Sequence, residues 1–284
     1  CPHIRYDSNM KELDKSSTNS VTIRLQGGLG NQLFGWATAY ALSLRINAEL
    51  LIDKTLLKQG QYELDNYNLP AHSILEQKSS EKWFGRIRQS PLNFRESSFT
   101  YDSSILNCKK KTILNGYFQS WKYFDDYKVK IAEILSADRE YSMEFVKLSS
   151  YISQEETIAI HIRRGDYVGL TEYHGLTSAE YFDKAFWNAK SLTNATRAVV
   201  FSDSISIAKH VFPNADKYIG PEDLRSSSET LDLMSRCSGI IGSNSSFSWW
   251  AAYIRDSESR PCIFPRPWFT ETSLDTRDLL MPHW

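Results

Sequence analysis

From about residue 153 onward, short apolar runs alternate with stretches at helical spacing, and this alternation constrains the fold more tightly than any other feature of the chain. Strands are read at 158–162, 198–202, 217–219 and 239–243, with residues 262–264 closing the series. Helices are read at about 178–192, 205–212 and 228–237, and from near Phe247. Strands that alternate with helices require a parallel sheet covered by helices on both faces. Such a sheet receives its ligands at the carboxyl ends of its strands.

The amino-terminal part opens in the same way. A strand at 21–25 leads through a glycine-rich turn into a helix at about 31–45, where Leu33, Ala37, Tyr40, Ala41 and Leu44 recur at helical spacing; a strand follows at 49–53. From there to about residue 150 the pattern is irregular and reads as helical in part, with aromatic residues at Trp83, Tyr117, Phe118 and Trp121. The expected organisation is a flexible leader or stem stub at 1–20, a first α/β domain with helical insertions at 21–150, and a second domain at 151–284. A tail after Trp268 is expected to cross back over the first domain.

A length of 284 residues suits two compact domains. With Lys+Arg 33 against Asp+Glu 34, the net charge of -1 gives no overall attraction to nucleic acid or to anionic membrane, so attraction for phosphate has to be local. No run of 18 apolar residues spans a bilayer, which leaves peripheral association as the membrane option. Cys1, Cys108, Cys237 and Cys262 make neither a C-x-x-C pair nor a zinc spacing and read as free thiols. The compartment stays open: cytoplasmic or membrane-associated for a bacterial chain, Golgi lumen for a eukaryotic fragment without its anchor.

Four groups of residues carry chemistry. The apolar run ending in His161, Arg163, Arg164 and Asp166 places an imidazole, two guanidiniums and a carboxylate at a strand's carboxyl end, which suits a phosphate-bearing ligand. A surface ion-pair cluster is the alternative. Gly27, Gly28 and Gly30 lie between strand and helix, where backbone amides approach a diphosphate, or where the chain simply turns and caps a helix. Leu33 at the third glycine position rules out the dinucleotide fingerprint, and no Gly-Lys-Ser/Thr end makes a P-loop. After an apolar strand, Asn244, Ser245 and Ser246 open a helix at Phe247, giving either an anion site of unpaired amides and hydroxyls or ordinary capping; Trp249 and Trp250 read as core. Asp203 ends another strand and either accepts from a guanine edge or ribose hydroxyl or caps the next helix. Glu229 and Asp232 read as serving a helix dipole. Neither Asp125-Asp126 nor Glu63-Leu64-Asp65 has the D-x-D form of metal-dependent sugar-nucleotide enzymes, so no catalytic metal is expected.

Taken together, the run Gly27, Gly28, Leu29, Gly30, Asn31, Gln32, Leu33, Phe34, the segment 116–120, the segment 161–167, and the stretch from Leu231 to Trp250 resemble the family 11 glycosyltransferases, the α-1,2-fucosyltransferases. Residues 265–269 and 282–284 are similar to the family's closing segments. The resemblance implies a GT-B-like α/β fold of two Rossmann-like domains, with a parallel sheet in the carboxyl-terminal donor-binding domain. It implies L-fucose transfer from GDP-fucose to a galactose 2-hydroxyl of a glycan acceptor, with inversion and no cofactor. Carried over by position, Arg163 would be catalytic and hold the β-phosphate, with Asn31 near the sugar; Asp166 is the candidate for taking the acceptor's proton, the alternatives being that it orients Arg163 or Arg164 or that the proton leaves late without a strong base. Gly28, Gly30, His161, Arg164, Asp203, Asn244, Ser245, Ser246 and Phe247 would hold the nucleotide. Gly35, Trp36 and Ser204 depart from the family pattern, so the alternatives are a non-catalytic glycan- or GDP-binding protein, or a transferase with another GDP-sugar or acceptor position.

Overall fold

A computed structural model describes residues 19–70, 73–75, 92–137, 139–164, 177–271 and 273–284. Nearly all of the expected leader, together with Trp83 and Asp166, lies outside them. Among the described residues two five-stranded sheets form, and every pairing in them is parallel. The first holds β1 (Ser20–Arg24), β2 (Glu49–Asp53), β3 (Ser73–Leu75), β4 (Leu92–Arg95) and β5 (Thr112–Asn115) in the order β3-β2-β1-β5-β4. The second holds β6 (Thr157–Ile162), β7 (Arg197–Ser202), β8 (Lys217–Ile219), β9 (Gly239–Ile241) and β10 (Cys262–Ile263) in the order β10-β9-β6-β7-β8.

The helices are α1 (Leu29–Arg45), α2 (Lys128–Ser136), α3 (Met143–Ser153), α4 (Ala179–Leu192), α5 (Ile205–Val211), α6 (Ser227–Ser235) and α7 (Ser246–Ile254). Serine hydroxyls start four of them: Ser142, Ser178, Ser226 and Ser245 each accept a first-turn backbone N–H. β6 is buried along its whole length, as a strand covered on both faces must be.

The irregular stretch after residue 53 is where the expectation needs correcting. It contributes three further strands, and β5 pairs directly with β1 at the centre of the first sheet. Helix α1 is also less amphipathic than expected, being buried without interruption from Gln32 to Ser43. The cause is the partner on its outer side: Phe34 meets the indoles of Trp249 and Trp250 on α7 at 4.4 and 5.2 Å, and Phe124 stacks on Trp250 at 5.5 Å. Trp249 and Trp250 are core residues, as read, within one hydrophobic cluster that runs from Val21 on β1 to Met281.

The tail crosses to the first half as expected. Phe269 packs on Phe99 at 5.0 Å, and the Asp278 carboxylate accepts from the Tyr101 N–H and pairs with Lys122. Asp232 does not serve a helix dipole. It is buried and faces the guanidiniums of Arg139, Arg236 and Arg255 and the Tyr141 hydroxyl. Cys108, Cys237 and Cys262 are buried free thiols. Among the described residues no helix is long and apolar enough to cross a membrane.

Candidate active site

Each sheet has a place where its strand order reverses. From β6 the chain proceeds to β7 and β8 on one side and then returns to β9 and β10 on the other; around β1 lie β2 and β3 on one side and β5 and β4 on the other. Ligands favour such switch points, outside the strands' carboxyl ends. Here both open onto one cleft of about 570 Å³. Residues 28–31 after β1, His161 at the end of β6 and Arg163 beyond it, Ser202 at the end of β7 and Asp203 beyond it, Gly220 and Pro221 after β8, and residues 245–247 after β9 line it.

At the floor of the cleft two helix amino termini touch. A Cβ on Gly30 would lie 2.6 Å from the Ser246 carbonyl carbon and 2.7 Å from the Phe247 nitrogen, so only glycine permits this approach. The absence of a side chain at Gly30 therefore serves helix contact, whereas Gly28 is open, the nearest atom to a Cβ there being Glu63 Oε2 at 3.9 Å. Two bonds fix the contact: Trp250 Nε1 donates to the Gly30 carbonyl at 3.0 Å, and Ser246 Oγ donates to Asn31 Oδ1 at 2.9 Å. Asn31 Oδ1 also accepts from Gln119 Nε2 at 2.7 Å, which ties in the loop after β5. The positive poles of α1 and α7 thereby point into the same space, a setting for an anion.

Arg163 stands beside these poles, its Nε 3.1 Å from Asp203 Oδ2. Asp203 Oδ1 accepts the Arg164 backbone N–H at 2.9 Å, so this carboxylate orients the arginine and holds the strand end rather than capping α5. Arg164 itself turns away from the cleft. It is buried, it donates to the Thr177 carbonyl, and burial lowers its pKa from the ordinary guanidinium value. Asn244 also lies outside the lining, its amide nitrogen bonded to the Trp268 carbonyl at 3.1 Å.

His161 is 5% exposed, with its ring 5.5 Å from Phe247, and its Nδ1 has no hydrogen-bond partner among the described residues. Burial, then the charge of Arg163, push its pKa down to about 3, so the imidazole is neutral. A folded-state value below the unfolded 6.5 means that stability is complete above pH 6.5 and is lost as pH falls from there toward about 3. The stability margin of wild type over His161→Gln is thus expected to shrink by about 2 kcal/mol between pH 7 and pH 5. Urea titrations of both proteins at the two pH values measure it.

Several lining residues escape the sequence reading: Glu63, Ile219, Gly220, Pro221, Ser227 and Thr230. Glu63 enters that reading only as half of a metal motif. Among the described residues no three potential metal ligands come together.

A model of glycosyl transferase family 11 matches residues 3–266. The chain belongs to this family. Among its relatives, an alpha-1,2-colitosyltransferase of Escherichia coli is 30% identical, over 93% of this chain and 97% of that protein. A galactoside 2-alpha-L-fucosyltransferase of Caenorhabditis elegans is 24% identical, over 84% of this chain and 70% of that protein. Among solved structures, the α-1,6-fucosyltransferase NodZ soaked with GDP-fucose shares the fold at a TM-score of 0.50 and 15% identity, over 84% of this chain and 93% of that one. The GT-B-like arrangement of two parallel sheets that the resemblance implied is the one observed.

Proposed function

We propose that this family 11 glycosyltransferase moves L-fucose from GDP-fucose to the 2-hydroxyl of a terminal galactose, with inversion and without a metal. The observation that carries this reading is the convergence of Arg163, held by Asp203, with the amino termini of α1 and α7 in one cleft. As the bond between the anomeric carbon and the β-phosphate oxygen breaks, its electron pair leaves with GDP. A fixed guanidinium and oriented amides stabilise that growing charge more than they stabilise the bound donor, which is what lowers a barrier. The acceptor hydroxyl attacks from the opposite face, and a cleft walled by two sheets holds it in line. Asn31 is assigned to the sugar side of the floor, and Asp166, three positions beyond Arg163, to the acceptor's proton. The departures at Gly35, Trp36 and Ser204, which favoured a non-catalytic protein, fall outside the cleft lining. A Cβ on Gly35 would press on Ile23, and Trp36 is buried and stacked on Tyr40.

Incubation with GDP-fucose and lactose in EDTA is expected to give product with an α-1,2 linkage. Activity that vanishes in EDTA and returns only with Mn²⁺ contradicts the metal-free reading. The 30% identical colitosyltransferase motivates a second donor, GDP-colitose, whose sugar lacks the 3-hydroxyl of fucose. Initial rates with the two donors in competition decide between them.

A further inference from the structure

One carboxylate in the cleft has no part in the reaction as described. Glu63 comes from the irregular segment after β2, on the wall opposite the second sheet, and its backbone N–H is held at 3.1 Å by Gln32 Oε1. Gln32 is itself anchored to the carbonyls of Gly27 and Gln61. From that mount the Glu63 side chain reaches across the cleft. Its Oε1 accepts the hydroxyl of Ser227 at the start of α6, and its Oε2 lies over Gly28.

The strand order says which part of a ligand lies there. Ser246 follows β9, Arg163 follows β6, Asp203 follows β7 and Gly220 follows β8, so the cleft edge runs in that sequence. β8 is three strand spacings from β9, roughly 14 Å. With the diphosphate at Arg163 and the α7 pole, the nucleoside extends along this edge toward β8, where Glu63 meets Ser227. A carboxylate would repel phosphate, but it is an acceptor-only group suited to adjacent N–H donors. Guanine presents such a pair, N1–H and the 2-amino group.

Resting on the GDP-sugar reading above, we infer that Glu63 reads the donor's base, accepting hydrogen bonds from guanine N1–H and the 2-amino group across the cleft from the sheet that holds the diphosphate. Recognition of the donor is thereby divided between the two halves of the molecule.

Titration calorimetry with GDP, inosine diphosphate (which lacks the 2-amino group), 2′-deoxy-GDP and pyrophosphate tests this on wild type, Glu63→Gln and Ser227→Ala. Wild type is expected to favour GDP over inosine diphosphate. In Glu63→Gln, GDP binding should weaken by about 10- to 100-fold, the preference over inosine diphosphate should collapse, and pyrophosphate binding should stay unchanged. Ser227→Ala, which removes only the anchor of the carboxylate, should reduce the same preference by less and keeps the test open should Glu63→Gln misfold. An unaltered GDP preference in both variants, or tighter GDP binding in Glu63→Gln, overturns the assignment. So does a change confined to 2′-deoxy-GDP, which would put the carboxylate on the ribose. No preference of wild type for GDP over inosine diphosphate also overturns the assignment, whereas GDP binding no tighter than pyrophosphate makes the donor reading fail instead.

Discussion

Replacing Arg163 by alanine is expected to lower fucosyl transfer by about 10²- to 10³-fold while the unfolding transition stays near that of wild type. The side chain is one-third exposed at the cleft wall, so its removal leaves no core cavity. Asp203, its partner, keeps the Arg164 backbone N–H. The loss should fall on kcat, because in the proposed reaction the guanidinium faces charge that appears only as the phosphate bond breaks. Arg163→Lys is expected to recover little of it: a lysine supplies a point charge but cannot hold Asp203 through one nitrogen while offering a fixed fork to phosphate. Steady-state rates at saturating donor and acceptor measure both variants. A rate equal to wild type in Arg163→Ala would remove Arg163 from the mechanism, and one in Arg163→Lys would show that a point charge suffices.

Trp250→Ala is the second large effect, at a cost of about 3–5 kcal/mol out of a total that for most domains is about 5–15 kcal/mol. Trp250 is fully buried between Phe34 and Phe124 and donates to the Gly30 carbonyl, a partner 220 positions away in the chain. Alanine opens a cavity there and removes the second donor, from the facing helix, to the Gly30 carbonyl. Trp250→Phe keeps an aromatic ring but gives up the N–H together with part of the indole's volume, and about 1–2 kcal/mol is expected for the two losses combined. Urea unfolding should show a lower midpoint at unchanged slope for both variants. Turnover should fall with stability, because this bond and the Asn31–Ser246 bond align the poles of α1 and α7. A Trp250→Phe protein as stable as wild type would show that the bond contributes nothing.

The second sheet was legible in the sequence because its inner strands β6, β7 and β9 are buried and read as apolar runs, with Ser178 and the small polar residues before Phe247 marking helix starts beside them. β3 and β4 were not legible. They are three and four residues long, and Ile74 and Leu92 face solvent, so neither length nor alternation marks them. β5 owes its central place to pairing with β1, some ninety positions earlier, which no local pattern encodes. In the cleft, Arg163, His161 and Ser246 announced themselves by chemistry at strand ends. Arg164 and Asn244 carried the same signal yet turn inward, since adjacent residues after a strand point to opposite sides. Glu63 was hidden for the opposite reason, sitting in an irregular stretch and acquiring meaning only through a serine 164 positions further on.

The seam between α1 and α7 also bears on dissecting the molecule. A fragment beginning at residue 151 would retain every strand of the second sheet, yet it would bare Trp249, Trp250 and Tyr253, which now lie dry against Phe34 and Phe124. Contiguous indole and phenyl surface of that kind drives self-association in water. Severed at the midpoint, the polypeptide should yield sticky pieces, and coexpression of both should be needed to keep either in solution.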